Sequence, residues 1–302
     1  MKLKGKVIIA NTGDDTLSFL DIEKREVVDV LDLRFFRNHC PIGPYDLITT
    51  GNDLLYCINI YDNSLYKINI NTKKIIDYIY IGCFPSCIKY FGDNFYIVNT
   101  DSNCISIIDE IEFQLIGSIS VGDKPTDMEI DRDNMKIYVS NSNDRSISII
   151  DLNTNSNIVI KLQHNPLKLL LEGEYMYILF NGNDSPSDKS NISIMNLKTF
   201  KIHNILDLQG IFNTMLKINS SEIIFTTNIG NSCLYRMDIK KGDLLGKTVL
   251  TGFPNKLAWD GNRTIYISNI SNNTLSLFDV KTNKVVQDIK VGQEPSGILF
   301  FN

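Results

Sequence analysis

A motif of about forty residues recurs seven times along this chain, and a period of that length restricts the fold to an array of one small structural unit. Each copy holds an apolar run ending in Asn, a short polar turn, and a second apolar run ending in Asp or Asn, as in FYIVNTDSNCISIID, IYVSNSNDRSISIID and IYISNISNNTLSLFD. The first anchor falls at Asn11, Asn59, Asn99, Asn141, Asn181, Asn228 and Asn269. The second falls at Asp21, Asn69, Asp109, Asp151, Asn196, Asp238 and Asp279, ten residues on in six copies and fifteen in one. Asn, Asp, Gly and Ser fill the space between anchors, and these residues tolerate positive φ or bond their own backbone, so they close tight hairpins. A second turn follows, clearest in DLNTNS (Asp151 to Ser156) and DVKTNK (Asp279 to Lys284), where the Asp carboxylate can cap amides left free at the reversal. A third strand comes next, then a fourth that opens at proline: Pro44, Pro85, Pro125, Pro166, Pro254 and Pro295, with Phe212 replacing one. The steps between these positions are 41, 40, 41, 46, 42 and 41 residues. Proline sits naturally at the first residue of a strand, where no ladder donor is lost.

Four short strands per unit, repeated seven times, predict an all-β, seven-bladed β-propeller of four-stranded antiparallel blades; a sandwich would not carry a fixed four-beat period. Length alone would suggest two domains for 302 residues, but the repeat makes the whole chain, 1–302, one domain. The two ends of the sequence complement each other. The chain finishes on EPSGILFFN, an inner strand with no successor, and begins at KVIIANT, a second strand with no predecessor. The first blade is therefore split, 1–33 plus 294–302, and the full blades run over approximately 43–83, 84–123, 124–164, 165–210, 211–252 and 253–293. Pairing the C-terminal strand with the N-terminal blade closes the ring and leaves no open edge there.

Segments such as VGDKPTDMEIDRDNMKIYVSNSNDRSISIIDLNT (Val121 to Thr154), and VGQEPSGI together with IYISN, resemble the YVTN-repeat propeller family, which is cytosolic, seven-bladed and WD-repeat-like. The resemblance covers essentially the whole chain and implies the same architecture. It implies no single activity, because that family and its relatives include binding scaffolds, lactonase-like enzymes, streptogramin lyases and cofactor-associated dehydrogenase subunits; fold does not choose among them.

Composition removes several classes. The only apolar run near the N-terminus, Val7 to Ala10, is too short for a signal segment, and no stretch approaches a membrane span, so the expectation is a cytoplasmic protein. A formal charge of −5 argues against a broad grip on nucleic acid or anionic lipid. Six cysteines in 302 residues, in a reducing compartment, are expected as free thiols.

The resemblance to propellers points to the channel end as the recognition face. Two residues past each proline or its replacement stand Asp46, Cys87, Asp127, Lys168, Thr214, Lys256 and Gly297, a polar or small set expected to ring the channel mouth. The next positions, Leu47, Ile88, Met128, Leu169, Met215, Leu257 and Ile298, are uniformly apolar and expected between blades. Two carboxylates and two ammoniums in one ring suit a zwitterionic or small polar ligand; the competing reading is a solvated channel wall. His39, Cys40, Cys83, Cys87 and Cys104 form a second candidate set, chemically able to hold zinc or another soft metal, although their spacing matches no zinc motif and free cysteines commonly act as small apolar fillers. The fifth repeat carries five extra residues within GNDSPSDKSN (Gly182 to Asn191), read as a surface loop because it lacks a calcium-loop acidic pattern. Trp259 is read as core, and Phe84, Phe212 and Phe253 as an apolar rim.

A non-enzymatic binding or scaffold propeller, monomeric and without a cofactor, recognising a protein or a small polar ligand on the channel face, accounts for all of these features. The alternative is an enzyme on the same fold, a lactonase-like hydrolase or a streptogramin-lyase-like lyase. The lyases work through paired histidines, and this chain offers only His39, His164 and His203. No phosphate loop, nucleophile elbow or zinc-protease helix is present.

Overall fold

Local turn chemistry determines where each strand stops. In the first hairpin of a blade the anchor Asn reaches across to the following strand: Asn141 Nδ2 donates to Ser146 Oγ and Ser148 Oγ, both at 3.0 Å. Asn11, Asn59, Asn99 and Asn269 make equivalent bonds to Ser or Thr hydroxyls, and all five anchors are fully buried. In the second hairpin the anchor accepts from the turn, as where Asp151 Oδ1 takes the N–H groups of Asn153 and Thr154, each at 2.9 Å. Asp21, Asn196, Asp238 and Asp279 cap their turns in the same manner. Each such turn closes through a residue of positive φ, for example Asn155 at 56° and Asn283 at 56°. The anchors also explain a glycine. A Cβ on Gly122 would lie 2.7 Å from the Asn141 side chain, so only glycine allows the chain to pass over that buried amide.

The computed structural model describes residues 5–34, 40–182, 189–218 and 221–301. Their strands form seven four-stranded antiparallel sheets, the blades of a seven-bladed β-propeller. Blade one joins the two ends of the chain: its inner strand, Pro295–Phe301, pairs with Lys6–Asn11, followed outward by Thr16–Asp21 and Glu26–Asp32. The pairing runs from Lys6 opposite Phe301 to Asn11 opposite Pro295. Beyond the ladder, Thr12 N–H donates to Glu294 O at 3.1 Å and Thr12 Oγ1 donates to Pro44 O at 2.8 Å, tying blade one to blade two. The inner strands of blades two to seven are Pro44–Gly51, Pro85–Phe91, Pro125–Asp131, Asn165–Glu172, Phe212–Lys217 and Pro254–Trp259. Of the extra segment of the fifth repeat, residues 183–188, like His39, fall outside the described residues, while Lys189, Ser190 and Asn191 belong to the strand Lys189–Asn196 and not to a loop.

Seven apolar clusters form the core, one at each blade–blade junction. Each contains one member of the apolar set that follows the channel positions: Leu47, Ile88, Met128, Leu169, Met215, Ile298 and Leu257. Trp259 is partly buried against the cluster between blades six and seven. The expected aromatic rim needs one correction. Phe84 and Phe253 are exposed, but Phe212 is fully buried between blades five and six, because it stands where other blades have proline and turns its ring onto Tyr235, centroids 5.0 Å apart.

Three blades also latch onto the one before them. Phe84, Lys124 and Glu294, each directly before a proline, have φ of 53°, 52° and 50°, a region that the following ring makes costly. Their N–H groups donate to Asn63, Asn103 and Asn273 Oδ1 of the preceding blade at 2.8, 3.0 and 3.0 Å, which offsets part of that cost.

Candidate functional site: the channel cavity

Because inner strands face the central axis, their polar side chains converge. Asp46, Cys87, Asp127, Lys168, Thr214 and Lys256 all line one cavity of about 570 Å³. The spacing from the prolines thus places the six side chains around a common space. Four further charged residues on the same strands, Lys89, Glu129, Glu172 and Lys217, share the wall. Two of them follow Cys87 and Asp127 at the two-residue period of a strand, a signal present in the sequence; Glu172 and Lys217 stand at the far ends of their inner strands.

The eight charges pair off as four carboxylates with four ammoniums. Lys256 Nζ lies 2.6 Å from Asp46 Oδ1, Lys217 Nζ 2.7 Å from Glu172 Oε1, Lys89 Nζ 3.1 Å from Glu129 Oε1, and Lys168 Nζ 3.4 Å from Asp127 Oδ1. Three of these pairs join neighbouring blades. The fourth does not: Lys256 belongs to blade seven and Asp46 to blade two, so their bridge passes over blade one. Gly297 occupies that blade's position in the ring and packs closely on the backbone of blade two. A Cβ there would meet Tyr45 O at 2.6 Å and Asp46 Cα at 3.1 Å. The Lys256 ammonium also lies 5.3 Å from the centre of the Tyr45 ring.

The carboxylates do structural work besides. Asp127 Oδ2 accepts the Leu169 N–H at 2.9 Å and Asp46 Oδ2 accepts the Ile88 N–H at 3.3 Å, so each clamps the inner strand of the next blade. Burial pushes the Glu129 carboxyl above its ordinary range, against the pull of Lys89. Burial works the other way on Lys168 and Lys89, yet the attraction of Asp127 and Glu129 respectively leaves both ammoniums above their ordinary value and firmly charged. The Cys87 thiol is pushed up to about 12, by burial first and by the charge of Asp127 second.

The cysteine set behaves differently. Among the described residues no three His, Cys, Asp or Glu side chains converge as metal ligands. Cys40 and Cys83 are exposed, Cys104 is half-buried beside Asn99, and Cys87 sits in the core cluster between blades three and four as a neutral thiol. A metal requires thiolate. His39 lies outside the described residues, so the fifth member of the set is not placed. Neither His164 nor His203 lines the channel: His164 stacks edge-on against Phe180, centroids 6.0 Å apart, and His203 is exposed on the outer strand Ile202–Gln209 of blade five. The six cysteines are all free. No helix among the described residues is long and apolar enough to cross a membrane.

No protein-family model matches the chain, and no curated protein matches it. Solved structures do. The chain is similar to a protein from Lactobacillus plantarum with a TM-score of 0.80 and 12% identity, over 99% of this chain and 100% of that one. It is similar to a candidate 6-phosphogluconolactonase from Bacteroides fragilis with a TM-score of 0.75 and 13% identity, over 100% of this chain and 99% of that one. A dihydro-heme d1 dehydrogenase, NirN, in complex with DHE aligns with a TM-score of 0.70 and 14% identity, over 99% of this chain and 76% of that one. At these identities the likeness concerns the fold, and the two activities named among these neighbours differ.

Proposed function

We propose that this propeller is a non-enzymatic binding protein whose channel cavity takes a small polar molecule. The observation that carries the reading is the cavity wall: eight charged side chains, four of each sign, gathered around about 570 Å³ on six inner strands. A volume of that size falls within the range of small-molecule sites, and polar groups fixed on strands recognise a ligand without rearrangement. The repeat wording supports kinship with YVTN-type propellers, and six free thiols fit a reducing, cytoplasmic setting. Two of the three candidate histidines, His164 and His203, lie away from the cavity, which favours binding over a lyase that needs a histidine pair there.

Differential scanning fluorimetry against amino acids, short peptides, dicarboxylates, sugar phosphates and polyamines tests the reading. A ligand at a hundred times its Kd stabilises by about 2.7 kcal/mol. With an unfolding entropy of roughly 2.1 cal/mol/K per residue, that is a rise in Tm of about 4 °C for a chain of this length. At least one class is expected to produce the rise in the wild type and lose it in Lys168→Met. No rise with any class, or a rise that Lys168→Met leaves intact, refutes it.

A further inference from the structure

The charges around the cavity are segregated. Going round the ring, blades two to four carry Asp46, Asp127 and Glu129 with a single ammonium, Lys89, whereas blades five to seven carry Lys168, Lys217 and Lys256 with a single carboxylate, Glu172. One half of the wall is mainly acidic and the other mainly basic, while the total is neutral. The pairs already formed do not exhaust these groups. An ammonium has three donors and a carboxylate about four acceptor sites. Lys168 is the clearest case: its contact with Asp127 Oδ1, at 3.4 Å, is longer than an ordinary N–H···O bond, so its donors are left to be used by an occupant.

A neutral, two-sided wall discriminates by charge number. An anion or a cation entering alone upsets the balance of a partly dehydrated network, and one of its own or the wall's charges ends without a partner. A molecule carrying both charges, held apart, completes both halves at once. The apolar parts of the wall, such as Leu170, Met215 and Leu216, lie on blades five and six and offer contact to a side chain between the charges. At about 30 Å³ per water, the cavity holds roughly nineteen water volumes, room for a solute of roughly ten to fifteen non-hydrogen atoms with some water retained.

Resting on the reading of the channel as a small-molecule site, we propose that its ligand class is a zwitterion of the size of a free-ended dipeptide. Its ammonium lies toward Asp46 and Asp127, and its carboxylate lies toward Lys168 and Lys256. Thr214, between the two lysines in ring order, supplies a hydroxyl on the carboxylate side.

Calorimetric titration of the full chain with glycyl-leucine, N-acetyl-glycyl-leucine, glycyl-leucinamide and the doubly capped N-acetyl-glycyl-leucinamide tests this. The free dipeptide is expected to bind, and each single cap to weaken binding about tenfold or more, the size of one lost charge-assisted hydrogen bond. Lys168→Met is expected to weaken glycyl-leucine but to leave the already weak glycyl-leucinamide unchanged, since that amide has no carboxylate to lose. A merely structural Lys168 would shift both alike. Equal affinity for free and capped peptides overturns the zwitterion assignment; if that binding still depends on Lys168, the channel remains a small-molecule site. Failure of all four peptides also overturns the assignment, and the wider fluorimetric panel then decides separately whether the channel binds anything.

Discussion

Gly297→Ala is the substitution that asks most of the closing strand. A methyl at this position would stand 2.6 Å from the Tyr45 carbonyl oxygen and 3.1 Å from Asp46 Cα, both backbone atoms of the neighbouring inner strand. No side-chain rotation relieves such a contact, so blades one and two must move apart. Forcing a methyl group into a packed interior typically costs 1–3 kcal/mol, about the range expected here. An unfolding entropy of roughly 2.1 cal/mol/K per residue gives about 0.6 kcal/mol per degree for this chain, so Tm should fall by about 2–5 °C. Gly246→Ala is the matched control. It lies on the outer strand Asp243–Val249, a Cβ there meets nothing within 4 Å, and removing a glycine from the unfolded chain is expected to hold Tm level or raise it slightly. Circular-dichroism melts of the three proteins at one scan rate make the comparison. A Gly297→Ala midpoint within about 1 °C of the wild type, or an equal loss in Gly246→Ala, would refute the reasoning.

Three further outcomes follow from the geometry. Deleting 295–302 removes the inner strand of blade one and should abolish the cooperative near-ultraviolet melt; a truncated chain that melts like the full one contradicts ring closure. A disulfide-exchange reagent should label Cys40 and Cys83 in the native protein and reach Cys57 and Cys87 only after unfolding, and the folded Cys87 thiol, near 12 against an ordinary 9.0, lends stability that is complete below about pH 9 and lost as pH rises toward 12. A Cys87→Ala chain should show a flatter decline in Tm over that interval. Asp279 has the opposite sign: its bond to Arg263 and the turn amides hold it at about 2 against an ordinary 3.8, so its contribution is present above about pH 4 and lost as pH falls through 2, and Asp279→Asn should reduce the dependence of Tm on pH in that window.

The sequence carried the architecture because a propeller repeats its instructions. Asn anchors, Asp turns and strand-opening prolines each recur at fixed spacing, and the same local chemistry produces the same hairpins in every blade. The six channel residues were legible for the same reason, since a count of two from each proline is a rule of register. The lysine–carboxylate pairing was not legible. Lys256 and Asp46 lie 210 positions apart and on blades that are not neighbours. The role of Asp46 and Asp127 in clamping the next strand was equally hidden, because its acceptor geometry belongs to the assembled ring. The left-handed residues before Pro85, Pro125 and Pro295 run against the usual preference at such positions, and only the Asn of the preceding blade makes them intelligible. Phe212 shows the converse error: it opens its strand as the prolines do, so grouping it with Phe84 and Phe253 as an exposed rim failed, because those two stand one residue before the proline.

The latches before the prolines also order the folding reaction. Phe84 to Asn63, Lys124 to Asn103 and Glu294 to Asn273 each span 21 residues, so consecutive blades can dock in succession with little loss of chain entropy at each step. The contact between Thr12 and Ser296 spans 284. Nascent blades can therefore zip together from neighbour to neighbour during synthesis, while the first waits with an uncovered edge until Pro295–Phe301 has been made.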